Sequence, residues 1–123
     1  MNAWLAVALG GAAGSVARYA VVLGAGHWFG TGFPFGTVIV NIVGSVVMGA
    51  LAEAFALWWG DALRPLLMVG FLGGFTTFSS FSLDAVALFE RGAVAVAALY
   101  VVGSVMLSIG GLLAGLWMVR SLA

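Results

Sequence analysis

The chain has no cysteine and no lysine, a single histidine and two prolines. Without cysteine there is no disulfide framework, no thiolate chemistry and no signal of a redox compartment. His27 stands alone in a Gly-rich stretch, which argues against an imidazole-built metal site. Charged residues make up 7% of the 123 positions and balance to a net charge of zero. No basic patch exists, so nucleic acid is excluded as a partner. A soluble domain of this length carries more charge than that. No nucleophile–base pair and no phosphate-binding loop occurs, so the reading is not an enzyme. The carboxylates are Glu53, Asp84 and Glu90 toward predicted helix ends and Asp61 in a loop. None sits at a membrane midplane, where a proton-coupled transporter commonly keeps one.

What remains is apolar. Hydrophobic residues make up 64% of the chain, with a mean hydropathy of +1.24. A membrane helix needs about 20 mostly apolar residues. Four such spans fit: about Ala3–Leu23, Thr37–Trp58, Pro65–Phe89 and Ala93–Val119. The expected fold is therefore an all-α integral membrane protein, one membrane domain over residues 1–123. The N-terminal run has no charged n-region and outlasts a signal peptide, so it reads as a retained span. Trp4, Trp28, Trp58, Trp59 and Trp117 fall near span ends, as an interfacial aromatic belt requires. Small-xxx-small pairs occur on every span: Gly10/Gly14, Ser45/Gly49, Gly70/Gly74 and Gly111/Gly115. Such pairs let membrane helices approach closely. Four helices leave little room for both a core and a pathway, so an oligomer, most simply a dimer, is expected.

Charge gives orientation little purchase. Arg64 and Arg120 share one side; Arg91, and Arg18 if it reaches the interface, lie on the other. The positive-inside rule finds two against one or two. Either the chain inserts both ways round, the favoured reading, or factors beyond this count fix its orientation.

The most unusual stretch is Val69–Ser82, VGFLGGFTTFSSFS. Gly73 and Gly74 are adjacent, each costing about 1 kcal/mol against Ala in a helix interior. Thr76, Thr77, Ser79, Ser80 and Ser82 put five hydroxyls in seven residues. Phe71, Phe75, Phe78 and Phe81 lie roughly on one helical face. Irregular backbone at membrane depth survives only where protein buries it or where it lines a water-filled cavity. The third span is therefore expected to break at Gly73–Thr77 beside a polar pathway. Asn41 and Ser45 share a face of the second span, as an interhelical bond or as pathway lining, the second being favoured. Tyr100, Ser104 and Ser108 recur every four residues as a hydroxyl stripe on the fourth span. Arg18 is either functional or snorkels to the interface. Phenyl edges carry positive potential, which favours an anion, though an aromatic row at this spacing is more often packing. On residues alone the reading stops at a polar pore or transporter, for a small anion.

Three segments carry a resemblance: GGFTTFSSFS (Gly73–Ser82), NIVGS (Asn41–Ser45) and GGAAGSVARY (Gly10–Tyr19). They resemble the Fluc, or CrcB, fluoride channel family over nearly the whole length. The resemblance implies an antiparallel, dual-topology homodimer in the inner membrane, with two fluoride pores and a central structural sodium ion. It places Phe78, Phe81 and Asn41 on the pore, with the neighbouring Thr77 and Ser79. It places Gly73 and Thr76 as carbonyl ligands of sodium, Tyr100, Ser104 and Ser108 on a polar track, and Arg18 on the family's first-span arginine. The implied partners are fluoride, sodium, a second copy of the chain and membrane lipid. The competing reading is a small dual-topology four-helix multidrug transporter. It needs a carboxylate in the first span, and Ala3–Leu23 has none. A non-conducting assembly subunit leaves the polar face unexplained.

Overall fold

The structure, a computed structural model, describes residues 1–123. Every regular element is helical. α1 runs Ala3–Phe29, α2 Phe35–Ala54, α3 Gly73–Phe75, α4 Phe78–Glu90 and α5 Val94–Arg120. Two π-helical segments, Phe55–Trp59 and Pro65–Leu72, flank the Gly60–Arg64 connection. α2 continues directly into the first, and the second leads directly into α3. Four stretches are thus long and apolar enough to cross a membrane: Ala3–Phe29, Phe35–Trp59, Pro65–Glu90 and Val94–Arg120.

Local chemistry sets the helix ends. The Asn2 side chain accepts the Trp4 N–H at 2.8 Å and caps α1, a role Asn fills well. α1 outruns the expected Leu23 by six residues, since Gly24 and Gly26 remain helical and Phe29 is the last helical residue. Gly30, at φ +82°, stops it and returns its N–H to Gly26, as glycine does at helix C-termini. Pro65 opens the third span, where its missing N–H costs nothing.

The helices pack as two intimate pairs. α1 lies along Pro65–Leu72 and α3, while α2 lies along α5. Glycine makes both seams possible. A Cβ on Gly10 would overlap the Leu66 carbonyl oxygen, and one on Gly14 that of Phe71. On the other seam a Cβ on Gly49 would strike the Leu112 carbonyl, and one on Gly115 that of Val46. Without a hydrophobic drive in lipid, such backbone contact supplies the packing attraction.

Only 20 of 123 residues are buried, so most apolar side chains face outward, the reverse of a soluble core. Trp4, Trp28 and Trp117 are 70–86% exposed. The chain is a multi-pass membrane protein. One enclosed cluster joins α4 to α5 through Phe81, Leu88, Ala97 and Tyr100. The α1–α2 connection folds over this cluster, with Phe33 edge-on to Tyr100 at 5.6 Å. Arg91 donates to the Gly32 carbonyl at 2.9 Å and ties that connection to the α4–α5 turn.

Candidate functional site

Thr76 and Thr77 separate α3 from α4, and both are extended (φ −86°, ψ 159°; φ −153°, ψ 122°). Gly73 and Gly74 are themselves helical. The extended pair needs partners for the backbone groups it withdraws from the helical ladder. Asn41 of α2 supplies them. Its Oδ1 accepts the Thr77 N–H at 2.8 Å, and its Nδ2 donates to the Thr77 carbonyl at 2.9 Å. The amide thus takes both bonds of one peptide residue. Thr76 keeps both its N–H and its hydroxyl on the Leu72 carbonyl, at 3.0 and 2.8 Å. The Thr77 hydroxyl accepts the Ser80 N–H at 3.1 Å and caps α4.

These substitutions release particular carbonyls. In a continuous helix the Thr77 N–H would bond Gly73 O, and the Ser80 N–H would bond Thr76 O. Both donors are turned elsewhere, so the carbonyls of Gly73 and Thr76 lose their helical partners. The Gly74 carbonyl takes the Arg18 Nε–H at 3.0 Å. Arg18 therefore crosses from α1 to the third span, part-buried.

A groove of about 410 Å³ opens beside this extended pair. It is lined by Asn41 and Ser45 of α2, the extended Thr76 and Thr77, Phe78 and Phe81 of α4, and Ser104 and Ser108 of α5. The Phe78 and Phe81 rings lie 5.5 Å apart, tilted by 48°. Phe78 is 77% exposed and Phe81 is buried. Ser104 is 6% exposed, yet its Oγ has no hydrogen-bond partner. A buried hydroxyl left this way calls for one. The walls thus combine phenyl rings, with their positive edges, and hydroxyl donors.

A family model described as CrcB-like protein, Camphor Resistance (CrcB), matches residues 5–116. The chain belongs to the CrcB family. Curated relatives span nearly all of it. A protein of Rhodospirillum centenum named "Fluoride-specific ion channel FluC" is 56% identical over 98% of both chains. Its namesake in Nitrobacter winogradskyi is 54% identical over 94% of both. One from Cereibacter sphaeroides is 54% identical over 98% of this chain and 96% of its own.

In this CrcB chain the groove gathers seven of the ten residues singled out from sequence as pore-lining or sodium-binding: Asn41, Thr76, Thr77, Phe78, Phe81, Ser104 and Ser108. The other three, and Arg18, lie off it. Tyr100 stands behind Phe81, 5.3 Å between ring centroids, and its hydroxyl donates to Asp84 at 3.0 Å. Ser79 lies 3.4 Å from the Thr77 hydroxyl, oxygen to oxygen. Gly73 sits one turn back in α3, and Arg18 holds Gly74 from the α1 side. Sequence reasoning missed Asp84, whose partner is sixteen residues away on another helix. It also missed Gly44, which lines the groove. The signal for Gly44 was available: three residues after Asn41, it shares Asn41's helical face.

Proposed function

We propose that the chain is a passive, fluoride-selective channel of the bacterial inner membrane that exports fluoride from the cytoplasm. It works as an antiparallel homodimer with two pores, and its third span acts as a broken helix. The observation that carries the anion reading is the groove lining, where Phe78 and Phe81 share one space with Ser104, Ser108 and Asn41. The relatives' name supplies the ion.

Fluoride is small and strongly hydrated, so a pore must replace the hydrogen bonds of its water. Ser104 offers an unspent buried hydroxyl, and Ser108 lies one turn on. Asn41 spends one Nδ2 hydrogen on Thr77, and the amide has a second. The ring edges add a weaker attraction that does not hold the ion too tightly to leave. The Tyr100 hydroxyl is occupied by Asp84, so Tyr100 contributes its ring and supports Phe81.

The carboxylates favour a channel over a proton-coupled carrier. Glu53 pairs with Arg120 at 2.9 Å, Asp61 with Arg64 at 3.1 Å, and Asp84 accepts from Tyr100. Neither these three nor Glu90 lines the groove. The arginines themselves, two at that end and one or two at the other, support insertion in either orientation.

The same reading gives the dimer a central structural sodium ion on the Gly73 and Thr76 carbonyls. The residues fit: both carbonyls have lost their helical donors to Asn41 and Thr77, and hard oxygen ligands suit a hard cation. When bound, the ion supplies positive charge that offsets facing carbonyl dipoles.

The test is purified protein in liposomes with a fluoride electrode outside. Rapid fluoride efflux that does not require proton movement is expected. Efflux that stops when proton movement is blocked would replace the channel with a coupled carrier.

A further inference from the structure

The Asn41 face of α2 does more than bond Thr77. Gly44, one turn on, lies against Thr76. A Cβ built on Gly44 would overlap Thr76 Cγ2, whereas its next neighbours, Phe75 Cδ1 at 3.4 Å and Thr76 Cβ at 3.7 Å, are at ordinary contact. The whole conflict is with one methyl group. That methyl cannot swing aside freely, because the Thr76 hydroxyl on the same carbon is bound to the Leu72 carbonyl at 2.8 Å. Nor can α2 back away freely, because retreat would draw Asn41 off the Thr77 backbone.

We propose that Gly44 is a positioning residue for the ion path: its missing side chain seats the Thr76 methyl and so fixes the extended Thr76–Thr77 backbone. Asn41 and Gly44 then form a two-point gauge on one helix face. Asn41 sets Thr77 by hydrogen bonds, and Gly44 sets Thr76 by shape. Both lie beside the groove that runs past Phe78. The inference rests on the channel reading above for its functional half.

The structure makes an unusual demand on the test, since the cost of a Cβ at 44 should depend on one methyl at 76. Thr76→Ser removes that methyl and keeps the hydroxyl that binds Leu72. The quantity read is therefore the cost of Gly44→Ala in each background, by fluoride efflux from liposomes and by thermal midpoint in detergent. In the native background Gly44→Ala is expected to lower efflux about tenfold, within the coupling range of contacting residues, and to lower the midpoint. In the Thr76→Ser background it should lower efflux by less than about twofold, below that range. There it should leave the midpoint unchanged or higher, because alanine is the better helix former.

Equal losses in both backgrounds, or no loss in either, overturn the proposal. Coupling in the midpoint without coupling in efflux overturns it too, reducing Gly44 to a packing residue. If Gly44→Ala cannot be purified alone, recovery of folded protein in the double variant supports the proposal, and failure of both overturns it. A native protein that releases no fluoride defeats the channel reading and the positioning role with it. The thermal cycle in that case still decides whether glycine and methyl are matched.

Discussion

Phe78 and Phe81 sit side by side but are held differently, and substitution should separate their roles. Phe78 is largely exposed, whereas Phe81 packs against Tyr100 in the enclosed cluster. Replacing either with Ile keeps apolar bulk and removes the ring quadrupole. Fluoride efflux should fall steeply in both. The thermal midpoint should hold in Phe78→Ile and fall in Phe81→Ile, which also loses an aromatic pair worth about 0.5–1.5 kcal/mol. Unchanged flux in both would return the rings to packing. Asn41 gives a second contrast. Asn41→Asp still accepts the Thr77 N–H but sets a carboxylate against the Thr77 carbonyl and repels an anion. Asn41→Ser is too short to make either bond. Efflux should be abolished more completely by Asp than by Ser. Full activity in the Asp variant would place residue 41 off the path.

Among the elements, the two glycine seams are the most exacting contacts. Gly49→Ala drives a methyl into the Leu112 carbonyl, and separating the helices to admit it should cost about 1–3 kcal/mol, as overpacking does. Gly24→Ala meets open space and should leave the thermal midpoint unchanged or raise it. Equal midpoints for the two variants would mean that the seams are loose. The seams were legible in the sequence, because small-residue spacing reports directly on which face can approach another helix. So were the four spans and five terminal tryptophans, which follow from hydropathy. The local course of the third span was less so. Gly73 and Gly74 look like breakers by propensity, yet they are helical. Gly74 is pressed against Gly11 and Ser15, and its carbonyl is held by Arg18. Thr76 and Thr77 are extended instead, because Asn41, thirty-six residues before Thr77, supplies the missing bonds. A contact that distant leaves no trace in a local window. The Tyr100 hydroxyl was likewise read as part of a stripe, whereas its partner Asp84 comes from a different helix.

At the scale of the whole molecule, charge says little about which way the chain faces. Tag accessibility at the C-terminus, measured from both sides of the membrane, should find comparable populations. A single orientation above about nine in ten would defeat dual topology, given the near-null arginine bias. The proposed central sodium ion is tested by replacing sodium exhaustively with a large organic cation. Dimer stability and fluoride efflux should both fall, since unpaired carbonyls facing one another in a dry interior are costly. Activity and stability that persist undiminished would defeat the proposed sodium site.

The Asn41 clamp also bears on how the protein is made. A lone third segment entering hydrocarbon cannot leave the Thr77 N–H and carbonyl unpaired, because each would cost several kcal/mol. On its own it must stay helical there, with residue 77 returned to the Gly73 carbonyl. The extended pair can form only against a docked α2. Ribosomal synthesis delivers α2 first, so the nascent third segment finds its missing rung already in the membrane. A peptide of residues 65–90 in lipid micelles should therefore be helical straight through Thr76 and Thr77, and unwind there only when residues 35–59 are added.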